Sequence, residues 1–388
     1  MKQVLHVGKF YPPVAGGMER VLQTLCLASA GLVESRVLVA NTTSRTIEEE
    51  RPVDGAETQP GIRVHVTRVG TVGAVGSVHI APTFAWHLRR ARPDLIVLHE
   101  PNPWALLSYA IARPSAPLAI WYHSDVVRPA LQYALFYAPL ARLVYGRAER
   151  VIVSSPALAE HAAPLAPYRD RVRVIPFGIN PMDWAMTPAD RERIARAQTQ
   201  IGGPFVLFAG RHVAYKGVDV LLRALDHLHV RAVIAGDGPK RVEWQQLAAT
   251  VGLTDRVHFV GDVPDAQLRT FMQACSALVL PSVTRAEAFG YVQLEAMACG
   301  KPVISTDVPS GVSWVNQHDR TGLVVRAGDE AALAAAIQTV MTDASLRARM
   351  GDAARQRVDR EFSIVRLRDR MRELFEETAV LEPRRAAC

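Results

Sequence analysis

Two glutamates, Glu287 and Glu295, stand eight residues apart with Phe289 and Gly290 between them, in the stretch TRAEAFGYVQLEAMACGKP from Thr284 to Pro302. A carboxylate accepts several hydrogen bonds at once, so such a pair can hold hydroxyls, Glu295 those of a ribose and Glu287 those of a sugar. Taken alone, the pair is equally a solvated pair on an ordinary helix. Upstream, Arg211 and Lys216 offer a planar fork and a point charge beside the predicted start of a helix, which suits a diphosphate. His123 follows the apolar run from Leu118 to Trp121, and polar residues at the ends of parallel strands sit where such sheets bind ligands. A single histidine there is more commonly structural. Gly16 and Gly17 close the loop after the first apolar run, where glycines let a phosphate reach backbone N–H groups. The loop is not G-x-G-x-x-G, so a dinucleotide is not indicated, and a plain turn would look the same.

These residues need a scaffold, and the apolar runs supply one. Val4 to Val7, Arg36 to Ala40, Arg63 to Val66, Asp94 to Leu98, Leu118 to Trp121, Val151 to Val153 and Val172 to Ile175 read as strands separated by helical or loop segments. The pattern restarts at Phe205 to Ala209 and continues through Ala232 to Ala235, Val257 to Val260, Ala277 to Leu280, Val303 to Ser305 and Gly322 to Val325. Buried strands alternating with helices predict parallel sheets covered on both faces, here in two successive α/β halves with a cleft between. Pro176 to Pro181 is the expected hinge. Glu361 to Thr378 reads as a closing amphipathic helix, and the tail from Glu382 is expected to be disordered.

An apolar fraction of 49% and a charged fraction of 21% are those of a globular chain, and no run of eighteen apolar residues predicts a membrane span. The start, MKQVLHVGKFYPP, looks like a first strand and not a signal peptide. Four cysteines without C-x-x-C spacing read as free thiols of a reducing compartment, neither disulfides nor metal ligands. A formal charge of +7 permits nucleotides or anionic lipid as partners. Nucleic acid is not expected, because no basic run is interleaved with aromatics. Arg128, Arg142, Arg147 and Arg150 flank Leu131, Leu135, Phe136, Leu140 and Leu143, which is either a helix packed on the sheet or a surface resting on anionic lipid.

In order along the chain, Gly16-Gly17, His123, Ile175-Pro176-Phe177-Gly178-Ile179, Gly210-Arg211 with Lys216-Gly217, Gly236-Asp237-Gly238-Pro239, and Glu287-Ala288-Phe289-Gly290 through Glu295 resemble the retaining, nucleotide-sugar-dependent glycosyltransferases of GT-B fold. The resemblance covers almost the whole chain and extends to bacterial mannosyltransferases. It implies an α/β fold of two Rossmann-like, doubly wound parallel-sheet domains facing a central cleft. Residues 1–176 would be the acceptor domain, 177–360 the nucleotide-sugar domain, and 361–388 a helix crossing back to the first domain, plus a tail.

It also implies roles. Arg211 and Lys216 would hold the diphosphate and stabilise the leaving group, with the amides of Gly16 and Gly17 beside them. Glu295 would hold the ribose, Glu287 with the backbone of Phe289 and Gly290 the donor sugar, and Val263 with Asp265 the base. His123 would sit at the reacting carbon, while His99, Asn102 and Asp125 are acceptor candidates from their place after strand ends, with Asp125 following His123-Ser124 in a variant found in only part of the family. Neither a metal nor a cofactor is expected, since no Asp-x-Asp pair occurs and cationic side chains can neutralise the diphosphate. Front-face attack, with the departing phosphate oxygen taking the acceptor's proton, needs no protein nucleophile. The expected reaction moves a hexose, mannose from GDP-mannose as first choice, to a glycan or lipid-linked oligosaccharide acceptor in surface-polysaccharide assembly. The expected location is cytoplasmic, peripheral on the inner face of the plasma membrane. A UDP-hexose donor, or a nucleotide-sugar epimerase or hydrolase on the same fold, is the alternative.

Overall fold

The structure, a computed structural model, describes residues 1–14, 16–53, 61–76, 78–125 and 133–382. The chain divides into two compact units, residues 1–178 with 364–388, and residues 179–363.

The first unit holds β1 (Gln3–Val7), β2 (Glu34–Ala40), β3 (Ile47–Pro52), β4 (Arg63–Val69), a short hairpin of β5 (Gly73–Val75) and β6 (Val78–Ile80), β7 (Leu95–Glu100), β8 (Leu118–Tyr122), β9 (Arg150–Val153) and β10 (Val172–Val174). Its main sheet runs in the order β10-β9-β8-β7-β1-β2-β4-β3. All neighbours are parallel except β3 and β4. Every residue of β7 and β8 is buried, as helices on both faces require, and this is why these strands read as continuous apolar runs. By contrast β3, with three successive glutamates, lies largely open at the sheet edge, where charge discourages pairing with another chain. A polar edge strand has no apolar run, and none was expected there.

Chain order reverses at β1, which has β2 on one side and β7 on the other. This switch point is where an open α/β sheet leaves a crevice for ligands.

The second unit contains β11 (Phe205–Ala209), β12 (Arg231–Ala235), β13 (Val257–Gly261), β14 (Ala277–Leu280), β15 (Val303–Thr306) and β16 (Gly322–Val325), all parallel, in the order β13-β12-β11-β14-β15-β16. Its switch point falls between β11 and β14. The loop after β11 carries Lys216 and the loop after β14 carries Glu287, so topology alone brings these two loops together.

The closing helix begins later than its apolar pattern suggests. Val358–Phe362 forms a π-helical turn, Ser363 is extended, and the helix proper is Ile364–Glu377. The extended Ser363 interrupts the backbone ladder that a helix from Glu361 would need. The helix belongs to the first unit. It buries Leu367, Met371, Leu374 and Phe375 as one stripe. Arg368 Nη1 donates to the carbonyl of Ala28 at 3.3 Å, and Glu377 pairs with Arg150 at 2.7 Å and Arg173 at 3.0 Å. The tail beyond Glu382 lies outside the described residues.

Candidate active site

In the second unit the loop after β11 makes a single 3₁₀ turn, Ala214–Lys216, and passes through Gly217 into the helix Val218–Asp226. Gly217 has φ +66°, and a Cβ there would fall 2.1 Å from the carbonyl oxygen of Pro281. Only glycine fits both the left-handed backbone and that approach. The two loops are also stitched by the amide of Val283, which donates to the carbonyl of Tyr215 at 2.9 Å. Lys216 Nζ is thereby held 2.5 Å from Glu287 Oε2, with both residues buried. Ser282, whose hydroxyl donates to the same Glu287 oxygen at 3.0 Å, completes the cluster. Burial works against the Lys216 ammonium, but Glu287 and Tyr215 outweigh it and its pKa is raised, so the charge persists at neutral pH.

The other donor-side candidates are arranged around this pair. Arg211 is exposed and enters no ion pair among the described residues. Gly290, at φ +70°, turns the chain into the helix Val292–Ala298, and Phe289 is buried. Glu295 is buried in the first turn of that helix. Val263 is half-buried after β13, and Asp265 is exposed at the first position of the helix Asp265–Ala274. Gln293, not singled out from sequence, is fully buried and donates to the carbonyl of Phe289 at 2.9 Å, fixing the turn that carries the FG pair.

In the first unit four of the candidate positions already have contacts within the fold. The helix Gly17–Ser29 starts at Gly16, but a Cβ at Gly16 would meet Glu19 Oε2 at 2.0 Å. An acidic side chain thus already faces the amides assigned to a phosphate. Burial raises the pKa of Glu19, against its own backbone hydrogen bond and Lys9. His99, expected as an acceptor contact, has both ring nitrogens engaged, Nε2 with His6 Nδ1 at 3.1 Å and Nδ1 with His123 Nε2 at 2.9 Å. It keeps no nitrogen for a substrate. Asn102 caps the helix Pro103–Ala112, its side-chain oxygen accepting from the Ala105 amide at 3.3 Å, so that oxygen is at least partly committed to the fold. Asp125 accepts from the Tyr122 hydroxyl at 2.7 Å.

His123 is buried, and its ring stacks on Phe177 with centroids 5.7 Å apart. Burial lowers its pKa to about 3, so the ring is neutral at physiological pH. Beside it in the sheet, Glu100 accepts from the Tyr137 hydroxyl. Burial raises its pKa to about 8, against that hydrogen bond and the Asn102 amide, so Glu100 is protonated at neutral pH.

Residues 16–178 match the family model described as "Glycosyl transferase 4-like domain", and residues 190–357 match "Glycosyl transferases group 1". The chain is 30% identical over 363 residues to D-rhamnosyltransferase WbpZ of Pseudomonas aeruginosa, covering 93% of this chain and 92% of that one. The chain belongs to the group 1 glycosyltransferases. This glycosyltransferase is also 29% identical to O-antigen chain mannosyltransferase C of Escherichia coli, over 98% of its own length and 99% of the relative's.

Among solved structures, sucrose-phosphate synthase of Thermosynechococcus elongatus superposes with a TM-score of 0.78 at 25% identity, covering 97% of this chain and 99% of that one. The HepE protein of Anabaena, crystallised with UDP and glucose, gives 0.77 at 24% identity, covering 97% and 100%. The fold of this glycosyltransferase is therefore GT-B.

His6 and Ser282 had no signal in isolation, and Glu100 stood only as one of the polar residues that end β7. Each lies in or directly after an apolar strand and gains meaning only from a neighbour that the sheet order supplies.

Proposed function

We propose that this glycosyltransferase transfers a hexose, mannose from GDP-mannose, with retention of configuration and without a metal, to a glycan or lipid-linked acceptor in surface-polysaccharide assembly. The observation that carries the donor half is the buried Lys216–Glu287 pair at the switch point of the second unit. Breaking an anomeric bond leaves negative charge on the diphosphate, and an ammonium pre-aimed there, with the exposed guanidinium of Arg211, stabilises it as it develops. Glu287 holds Lys216 before the donor arrives and offers its remaining acceptor capacity to sugar hydroxyls. Glu295 is the ribose contact, and His123 is a substrate contact. Mannose is favoured because two relatives matched over nearly full length are named for mannose and D-rhamnose, which is 6-deoxymannose.

The same reading places the protein on an anionic membrane surface. Helices Phe84–Arg90, Pro103–Ala112 and Ala138–Tyr145 bury their inner residues in one shared core. Outward they leave Trp86, Leu107, Ile111 and Leu143 exposed, with Leu135 and Phe136 just before the last helix. Arg89, Arg90, Arg142 and Arg147 are exposed nearby, and no acidic residue lies in any of the three helices. Arg150 leaves this set because Glu377 neutralises it, and Leu140 packs against the core. Arg128 and Leu131 lie outside the described residues. No helix among the described residues is long and apolar enough to cross a membrane.

The test is calorimetric titration with GDP, UDP, GDP-mannose and UDP-hexoses. The proposal expects GDP and GDP-mannose to bind, and tighter binding of UDP and a UDP-hexose would overturn the donor assignment.

A further inference from the structure

His6, His99 and His123 are far apart in sequence, yet the sheet order puts β1, β7 and β8 side by side. Their rings form one row across the switch point of the first unit, with nitrogen–nitrogen separations of 3.1 Å and 2.9 Å. Burial holds all three neutral, His6 lowered to about 4, His99 well below its usual value, and His123 to about 3. A neutral imidazole carries one N–H and one lone pair, so each bond in the row needs one of each. The three tautomers are therefore locked together, and only two registers satisfy both bonds.

In one register His123 Nε2–H donates to His99, His99 Nε2–H donates to His6, and His6 must carry its proton on Nε2. In the other, every proton sits on Nδ1. His6 donates to His99, His99 donates to His123, and His123 is left with a free Nδ1–H. The far end of the row discriminates between them. His6 Nε2 is buried without a partner among the described residues. The first register makes that atom an orphaned N–H, and the second makes it an unused lone pair. Orphaned buried N–H groups are the rarer fault. Stacking on Phe177 restrains the His123 ring at the other end.

We propose that His6 and His99 are positioning residues that set His123 to its Nδ1–H tautomer, so that His123 meets a substrate oxygen as a hydrogen-bond donor and not as a base. This rests on His123 being a substrate contact. The tautomer itself is independent of that reading and is measured without substrate.

The experiment uses the full chain with ¹⁵N-labelled histidine rings and two-bond nitrogen–proton correlation spectra, with the His123 signals identified by their loss in His123→Asn. The expected result is a protonated Nδ1 and a bare Nε2 on all three rings. A protonated Nε2 on His123 overturns the proposal from the wild-type spectrum alone, whatever the variants do. His6→Phe removes the terminal donor while keeping bulk. It should release His99 and His123 into mixed tautomers and lower kcat by about two- to tenfold, the worth of one neutral hydrogen bond. KM for the donor should not move. His6→Asn, whose amide N–H can stand in for Nδ1–H, should restore both tautomer and rate. A His123 tautomer unchanged in His6→Phe would show that the row does not set it. A tautomer lost without any loss of rate would instead sink the role of His123 at the substrate.

Discussion

Stability of the first unit should peak near pH 6.5 and fall on both sides, because four fully buried groups pull in opposite directions. His6, His99 and His123 have folded pKa values below the unfolded value of 6.5, so below pH 6.5 the unfolded chain binds protons that the folded one refuses. Their stability is present above pH 6.5 and is lost as pH falls. Glu100 acts the other way. Its folded pKa of about 8 lies above the unfolded 4.5, so between these values the folded state holds the extra proton and stability is lost as pH rises. Each proton is worth about 1.4 kcal/mol per pH unit. Three taken up by the unfolded histidines less one held by Glu100 leaves roughly two, or about 2.7 kcal/mol lost per unit from pH 6 down to 4.5. From pH 6.5 to 8 Glu100 costs up to about 1.4 kcal/mol per unit, offset until about pH 7 by the last protons leaving the unfolded histidines, so the net alkaline limb is shallower than the acid one. His87, also lowered by burial, adds to the acid limb, and Glu19 adds to the alkaline one.

With a total stability of about 5–15 kcal/mol, a loss of this size by pH 4.5 is a large part of the whole. The assay is the urea midpoint of the first unit at pH 5, 6.5 and 8, read by amide exchange over residues 95–122. Glu100→Gln keeps an acceptor for the Tyr137 hydroxyl and removes the titration. It should flatten the alkaline limb and steepen the acid one. A wild-type midpoint that does not fall from pH 6.5 to 8 relative to the variant would refute the reasoning for Glu100. One that does not fall from pH 6.5 to 5 would refute it for the histidines.

Glu295→Ala should raise KM for the donor and weaken nucleotide binding while sparing kcat, since a ribose contact is made equally in ground and transition states. Glu287→Gln should lower kcat with free-nucleotide affinity nearly unchanged. Each effect should be on the order of ten- to a few hundred-fold, and calorimetry beside steady-state kinetics would show a reversed assignment as a reversed pattern. Lys216→Met strands the buried Glu287 charge and should cost about 3–5 kcal/mol, most of which Lys216→Met with Glu287→Gln should recover without recovering transfer. Denaturant melts of the single and double variants check this, and a double variant no more stable than Lys216→Met would contradict it. Cosedimentation with phosphatidylserine vesicles should weaken with added salt and in Phe136→Glu with Leu143→Glu; no binding at low salt would leave that surface unexplained.

Strands that are buried on both faces, such as β7 and β11, announce themselves as apolar runs, and the two α/β halves were legible for that reason. The edge strand β3 was not, because its environment is solvent on one side and its residues are glutamates. The motif around Glu287 and Lys216 could be read as two separate signals. Their contact could not, because it depends on β11 and β14 being neighbours across a reversal of strand order. The histidine row is the clearest case. His6 is unremarkable within its own strand and His99 was expected only as an acceptor contact, and only the sheet order β8-β7-β1 joins them to His123. Sequence spacing likewise pointed to the amides of Gly16 and Gly17 as open, and it could not show that Glu19 folds back over them.

In the proposed reaction this chain moves a hexose from a nucleotide donor to a glycan or lipid-linked acceptor, with Lys216 against the leaving diphosphate. The most direct test is the transfer of radiolabel from GDP-[¹⁴C]mannose into the lipid-linked oligosaccharide fraction of bacterial membranes, by the wild type and by Lys216→Met with Glu287→Gln. Wild-type protein should label that fraction in the same anomeric configuration as the donor, and the folded double variant should not. No transfer from GDP-mannose, or equal transfer by the double variant, would contradict the account.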